Sequence, residues 1–300
     1  MDTPQRITTI DYADHRCLHM RGAHGAAIIS LHGAQLLSWV PAGQNEVFWL
    51  SPRALPEPAA IRGGVPVCWP WFASQGMPIG AMSHGPVRNR LWEVAATDHG
   101  DFADANQPLR ITLTPTPALT PDDPLCRYAA GLQVSLSVEL GDTLTQTLTT
   151  HNWGEQPFVL TEALHSYFAV TDARHVQISG LESRPYDCKL SGAQNASHAG
   201  IWQLDLACDR VYQQDPLSTE HGYTLIDPAG GRQIHITTQG SQSVVVWNPG
   251  AEAANKMADV PDAAWHHFVC IEVANAGADR IALAPGGQHT LTQTIAVTHA

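Results

Sequence analysis

The stretch from Leu132 to Asn152 reads LQVSLSVELGDTLTQTLTTHN. Leu132, Val134, Leu136 and Val138 fall at every second position, and Leu144 and Leu148 keep the same period beyond a break at Gly141-Asp142. An extended chain points successive side chains to opposite faces, so this spacing predicts two strands that each bury one face. Gly-Asp between two alternating runs predicts the turn of an antiparallel hairpin.

The same alternation recurs along the chain. Arg110 to Pro115 (RITLTP), Ser243 to Pro249 (SVVVWNP), Phe268 to Val273 (FVCIEV) and His289 to Val297 (HTLTQTIAV) read as further strands. Helical period is scarce. The 21 prolines and 24 glycines are spread throughout, so the strands are short and turns are frequent. Many short strands without alternating helices predict an all-β fold, a large antiparallel β-sandwich. There is no linker, composition shift or internal repeat, which predicts one domain over residues 1–300.

Composition narrows the function. Hydrophobic residues make up 44% of the 300 positions and charged residues 15%, the balance of a globular chain with a large core. A formal net charge of −12 argues against nucleic acid and anionic membrane surfaces as partners. An anionic substrate would need a local basic site, so arginines near glycines and aromatics gain weight. No apolar run is long enough to span a bilayer. The opening MDTPQRITTIDYADHR carries no apolar leader, and the six cysteines, Cys17, Cys68, Cys126, Cys188, Cys208 and Cys270, form no C-x-x-C pair. The expectation is a reduced, soluble, cytoplasmic protein, and a monomer.

Three segments set polar groups among apolar ones. The first runs from IRGGVPVCWPWF (Ile61 to Phe72) to SHGPVRNRLW (Ser83 to Trp92) and holds Arg62, His84, Arg88 and Arg90. An arginine offers a planar fork of donors suited to phosphate, and the alternative for these arginines is ion pairing within an acidic protein. The second, TEALHSYFAV (Thr161 to Val170), sets His165 among apolar neighbours, where the alternative is a hydrogen-bonded core histidine. The third, HHFVCIEVAN (His266 to Asn275), is interrupted by Glu272. On a strand, Glu272 shares a face with Cys270 and Phe268, while Val269, Ile271 and Val273 share the other. A carboxylate so placed is desolvated, and desolvation raises its pKa toward that of a base usable near neutrality. The alternative is a solvent-facing glutamate on a one-sided strand.

Other chemistries find less support. The 16 histidines show no H-x-H spacing, and His266-His267 would face opposite ways on a strand, so no metal is expected. There is no G-x-S-x-G elbow, no P-loop and no G-x-G-x-x-G, so neither a serine nucleophile of that type nor a nucleotide cofactor is expected.

Taken in order, IRGGVPVCWPWF, HGPVRN, TEALHSYF, DRVY (Asp209 to Tyr212), VVVWNP and FVCIEVAN resemble the D-hexose-6-phosphate mutarotases, or glucose-6-phosphate 1-epimerases, of the aldose 1-epimerase (galactose mutarotase) superfamily. ISLHGAQLLSWVP (Ile29 to Pro41) is similar to the opening hairpin of that family, so the resemblance spans nearly the whole chain. It implies a β-sandwich that interconverts sugar anomers without cofactor or metal. It further implies that His165 and Glu272 are the catalytic acid and base, with His165 protonated at rest beside carboxylates such as Asp209. Arg62, His84 and Asp209 would then bind or orient the sugar, and Arg88 with Arg62 would meet the phosphate. The chain departs from the pattern at Trp69, Pro86 and Val273, which touch the walls of such a site. An unphosphorylated aldose as substrate, or a sugar-binding sensor without catalysis, are the competing readings.

Overall fold

A computed structural model describes residues 6–100, 104, 106–116 and 128–299, so Cys126 lies outside the described residues. The opening stretch forms the hairpin its period predicts, with strands Leu132–Leu140 and Leu144–Asn152 paired so that Leu136 faces Leu148. The turn takes one residue more than Gly141-Asp142: Leu140 pairs with Leu144, and the Gly141 amide donates to the Thr143 carbonyl at 3.0 Å. Leu132, Val134, Leu136, Val138 and Leu140 are all buried.

This hairpin lies within a nine-stranded sheet. Its order is Trp202–Gln203, Gln177–Ser179, Glu220–Asp227, Arg232–Gln239, Gln288–His299, Leu144–Asn152, Leu132–Leu140, Leu109–Pro115 and Trp92–Asp98. A seven-stranded sheet runs Tyr186–Cys188, Cys208–Gln213, Ser243–Asn248, Phe268–Asn275, Glu162–Leu164 and Val67–Cys68, with Tyr167–Ala169 also paired to Phe268–Asn275. Pairing is antiparallel within both. The two sheets close on one another: Val244, Val246, Val269, Ile271 and Val273 share a buried cluster with Leu136, Leu148, Ile236 and Leu291. Removing each such side chain from water contributes about 1.5–3 kcal/mol. The predicted sandwich is the observed fold. A four-stranded meander from Ile7 to Pro41 contains the opening hairpin, Gly25–Ser30 with Leu36–Pro41. A further pair joins Phe158–Leu160 to Ile281–Leu283.

Helix is confined, among the described residues, to Gly250–Ala254 and two 3-10 turns, Val87–Asn89 and Ala264–His267. His266 and His267 lie in the second of these turns, and the expected strand starts after them at Phe268. No described helix is long and apolar enough to cross a membrane. The five described cysteines are buried free thiols.

Alternation misses the polar residues that the sandwich buries. Gln146, Thr150 and Asn152 sit on the inner face of their strand, at positions the period assigns to the core. Gln146 accepts from Gln293 at 2.7 Å, and Gln293 in turn accepts from the Ser166 hydroxyl at 3.0 Å. Mutual pairing makes their burial tolerable.

Candidate active site

Strand Phe268–Asn275 is buried on both faces and divides its side chains as the sequence predicts. Val269, Ile271 and Val273 enter the main core, whereas Phe268 and Cys270 join a smaller cluster with Tyr167. Glu272 projects on the side of Cys270. On the neighbouring strands Leu164 pairs with Val273 and Tyr167 with Cys270, so the register brings His165 opposite Glu272. His165 Nε2 lies 3.3 Å from Glu272 Oε1. Both are buried, at 8% and 1% exposure, and His165 Nδ1 and Glu272 Oε2 have no hydrogen-bond partner.

A cleft of about 230 Å³ opens onto this pair, and its wall includes Arg62, His84, Lys189 and Asp209. Phe72, Tyr167, Trp247 and Met257 supply the apolar part. Aromatic rings fix the imidazole: Tyr167 stacks on His165 with centroids 5.0 Å apart and planes within 11°, and Trp247 meets it edge-on at 6.1 Å. Arg62 is delivered by Gly63-Gly64. Both glycines have positive φ, and a Cβ at Gly64 would stand 2.2 Å from the Leu36 carbonyl oxygen, so no other residue fits. Arg62 donates from Nη1 to Tyr167 Oη and from Nε to Asp259 Oδ2, each at 2.9 Å. Phe72 is the member of the Trp69-Pro70-Trp71-Phe72 run that walls the cleft. Trp69 and Trp71 are core, donating to Thr150 Oγ1 at 3.0 Å and to the Met82 carbonyl at 2.9 Å.

His84 takes a defined tautomer. Its Nδ1 accepts from the Ala73 amide at 3.3 Å, which leaves the proton on Nε2. Burial, with Arg88, Lys189 and Arg62 nearby, pushes its pKa down to about 3. His84 is thus a neutral donor. Lys189 Nζ lies 3.4 Å from Asp209 Oδ1 and 5.7 Å from the centre of the Phe72 ring.

Burial also decides the protonation of the central pair. It drives the His165 pKa well below its ordinary value, helped by His84, Arg88 and Arg62. It drives Glu272 well above its ordinary value, helped by Asp209. Both shifts favour a neutral imidazole beside a protonated carboxyl. The direction runs against the expected resting imidazolium: the loss of water, with the Arg88 and Arg62 charges, outweighs the carboxylates. The pair still holds one proton, and its two forms differ by a transfer across 3.3 Å.

Of the six residues singled out in the sequence, Arg62, His84, His165, Asp209 and Glu272 line the cleft together. Arg88 does not. It sits on the turn Val87–Asn89, behind His84, where its charge acts on His84, His165 and Glu272. Sequence reasoning missed Lys189, Tyr167, Trp247, Phe72 as a specific wall, and Met257. The TEALHSYF motif contains Tyr167 at i+2 from His165, the spacing that puts both rings on one side of an extended chain.

Comparison with known proteins identifies the family. The aldose 1-epimerase family model matches residues 16–296, and the chain belongs to that family of isomerases. A protein of Escherichia coli (strain K12) named "Putative glucose-6-phosphate 1-epimerase" is 38% identical over 257 residues, covering 83% of this chain and 80% of its own. One of the same name from Salmonella typhimurium is 35% identical over 276 residues, covering 90% and 86%. The crystal structure of a "putative mutarotase" from Salmonella typhimurium superposes with a TM-score of 0.85 at 30% identity, covering 98% of this chain and 94% of the other.

Proposed function

We propose that this protein interconverts the α and β anomers of a hexose 6-phosphate by acid–base opening and reclosure of the ring. The observation that carries the reading is the buried His165–Glu272 contact of 3.3 Å at a cleft whose wall also bears two cations, Arg62 and Lys189. The names of the relatives support a phosphorylated hexose as substrate.

Opening a hemiacetal needs a base for the C1 hydroxyl proton and an acid for the ring oxygen. Glu272 is the base and His165 the acid. That division uses the ionised form of the pair, whereas burial favours the neutral one. Lys189 and Arg88 already draw Glu272 toward carboxylate, and sugar hydroxyls donating to it add to that. Ring opening leaves the proton on Glu272 and the imidazole neutral. Rotation about C1–C2 presents the other aldehyde face, and reclosure returns both protons. His84 offers Nε2–H to a sugar oxygen, Asp209 accepts from a hydroxyl, and Trp247 and Phe72 offer faces to the ring's C–H groups. Arg62 and Lys189 meet the phosphate, with Arg88 adding positive potential from behind His84.

The test is to mix pure α-glucose 6-phosphate with the protein and follow optical rotation or anomeric NMR. Equilibration no faster than in buffer, over several hexose phosphates, sinks the proposal. An unphosphorylated aldose is the second reading, favoured by the counter-charges that Arg62 and Lys189 already have in Asp259 and Asp209. K189A decides between them. A phosphate role predicts a loss of kcat/KM at least tenfold larger with glucose 6-phosphate than with glucose, and an equal loss for both removes that role.

A further inference from the structure

We propose that His165, Cys270 and Glu272 also form a binding site for Zn2+ or a similarly borderline-soft divalent cation, whose occupation stops the anomer exchange. Cys270 has no part in the acid–base chemistry and does not line the cleft. Yet strand period places it on the side of Glu272, two residues away. One ligand atom from each of the three residues lies within 4.8 Å of the other two.

Zinc holds nitrogen and oxygen ligands at about 2.0–2.2 Å and thiolate sulfur at about 2.3 Å, which sets the edges of its tetrahedron at about 3.3–3.7 Å. The His165 Nε2–Glu272 Oε1 distance of 3.3 Å already fits one edge. Side-chain adjustment of about 1 Å closes the widest remaining separation. Imidazole, thiolate and carboxylate together carry the charge that neutralises a divalent ion, and the soft sulfur selects against Mg2+ and Ca2+. Glu272 Oε2 is buried without a partner, so the carboxylate has lone pairs to give. The fourth position faces the cleft, where water or a sugar oxygen completes the set.

The support around the ligands marks the ion as a visitor. A resident metal's histidine donates its second ring nitrogen to a carbonyl or carboxylate, whereas His165 Nδ1 has no partner. Arg62 and Lys189 face the same site, Arg88 adds its charge from the turn Val87–Asn89, and all three lower its affinity for a cation. The binding claim stands on these ligands alone. The inhibition rests on the mutarotase reading, because the cation takes the lone pairs that the acid and base need.

The test uses the full chain, stripped of metal and titrated with Co2+ and then Zn2+. One Co2+ per chain with a thiolate-to-cobalt charge-transfer band, displaced by Zn2+, is expected. The band is expected to vanish in C270A, in C270S and in H165A. With glucose 6-phosphate, saturating Zn2+ lowers the wild-type rate at least tenfold, and EDTA restores it. C270A and C270S, each read against its own metal-free rate, need at least tenfold more Zn2+ for the same inhibition. Absence of the band, or its persistence in both Cys270 variants, overturns the site. A Cys270-dependent band with an unaffected rate overturns the inhibition. A Cys270-dependent band in a protein that accelerates no anomer exchange upholds the site and sinks the mutarotase reading.

Discussion

Two carboxyl–imidazole pairs among the described residues join a buried glutamate to a buried or half-buried histidine, and they differ in what surrounds them. His165 and Glu272 are 3.3 Å apart at an open cleft, and His289 and Glu162 are 3.6 Å apart inside the sandwich. In both, burial pushes the groups toward their neutral forms, with Glu162 pushed up to about 8 and His289 pushed down. The second pair is tied to structure. Glu162 accepts from Thr150 at 3.2 Å, Thr150 accepts from Trp69, and His289 Nε2 meets Asn275 Oδ1 at 3.0 Å. Glu162 and His289 line no part of the cleft. A displaced pKa identifies a desolvated group, and only access to a ligand makes it chemistry.

Four measurements test that contrast. The largest effect is expected at the cleft: E272Q and H165A should each lower kcat for anomer exchange by about 10²-fold or more, the scale of general acid–base groups. Near-normal turnover in either would remove that residue from the mechanism. Y167F keeps the ring that stacks on His165 and removes the oxygen that accepts from Arg62. A fall in kcat/KM of about tenfold is expected, as for loss of a hydrogen bond to a charged group, and unchanged kinetics would detach Arg62 from the site.

E162Q should leave the exchange rate within about threefold, and a hundredfold loss would erase the distinction between the two pairs. Its effect belongs to stability. Glu162 has a folded-state pKa above its unfolded value, so its contribution is complete below about 4.5 and is lost as pH rises toward about 8. Over that window the wild type loses up to about 1.4 kcal/mol per pH unit from this group, and the glutamine variant is spared that loss. The melting temperature of E162Q relative to wild type should therefore climb between pH 5 and pH 8, as thermal scans at each pH would show. A constant difference would contradict the burial argument.

The sandwich was legible because burying one face of a strand imposes a period of two, and Leu132 to Asn152 displays it openly. Glu272 was legible by the same rule, as a charge among Phe268 and Cys270. What the period cannot report is which strands become neighbours. Asp209 reaches the cleft from the strand Cys208–Gln213 and Lys189 from the turn after Tyr186–Cys188, and the partners of both strands are set by the whole topology. The period puts Gln146 and Thr150 on the core face, but it does not show the partners, distant in the chain, that make their burial possible. The metal geometry escaped for the same reason. The one H-x-x-x-H spacing, His15 to His19, lies along the strand His15–Gly22 and spreads its rings about 13 Å apart. His165, Cys270 and Glu272 converge instead across two strands.

The register that sets His165 opposite Glu272 lies at the heart of a strand buried on both faces, whereas Arg62 arrives on a glycine turn and Lys189 from a segment beyond a strand end. Chemistry and substrate choice are thus written in parts of the chain with different tolerance for change. One residue inserted between Leu164 and Tyr167 would turn His165 into the core and end catalysis together with the packing of the sheet. The turn at Lys189 is exposed and free to vary, whereas Gly63-Gly64 is held by the backbone packed against it. On the proposed reading, the rim residue Lys189 is open to drift, while the His165–Glu272 pair stays locked to the survival of the fold itself.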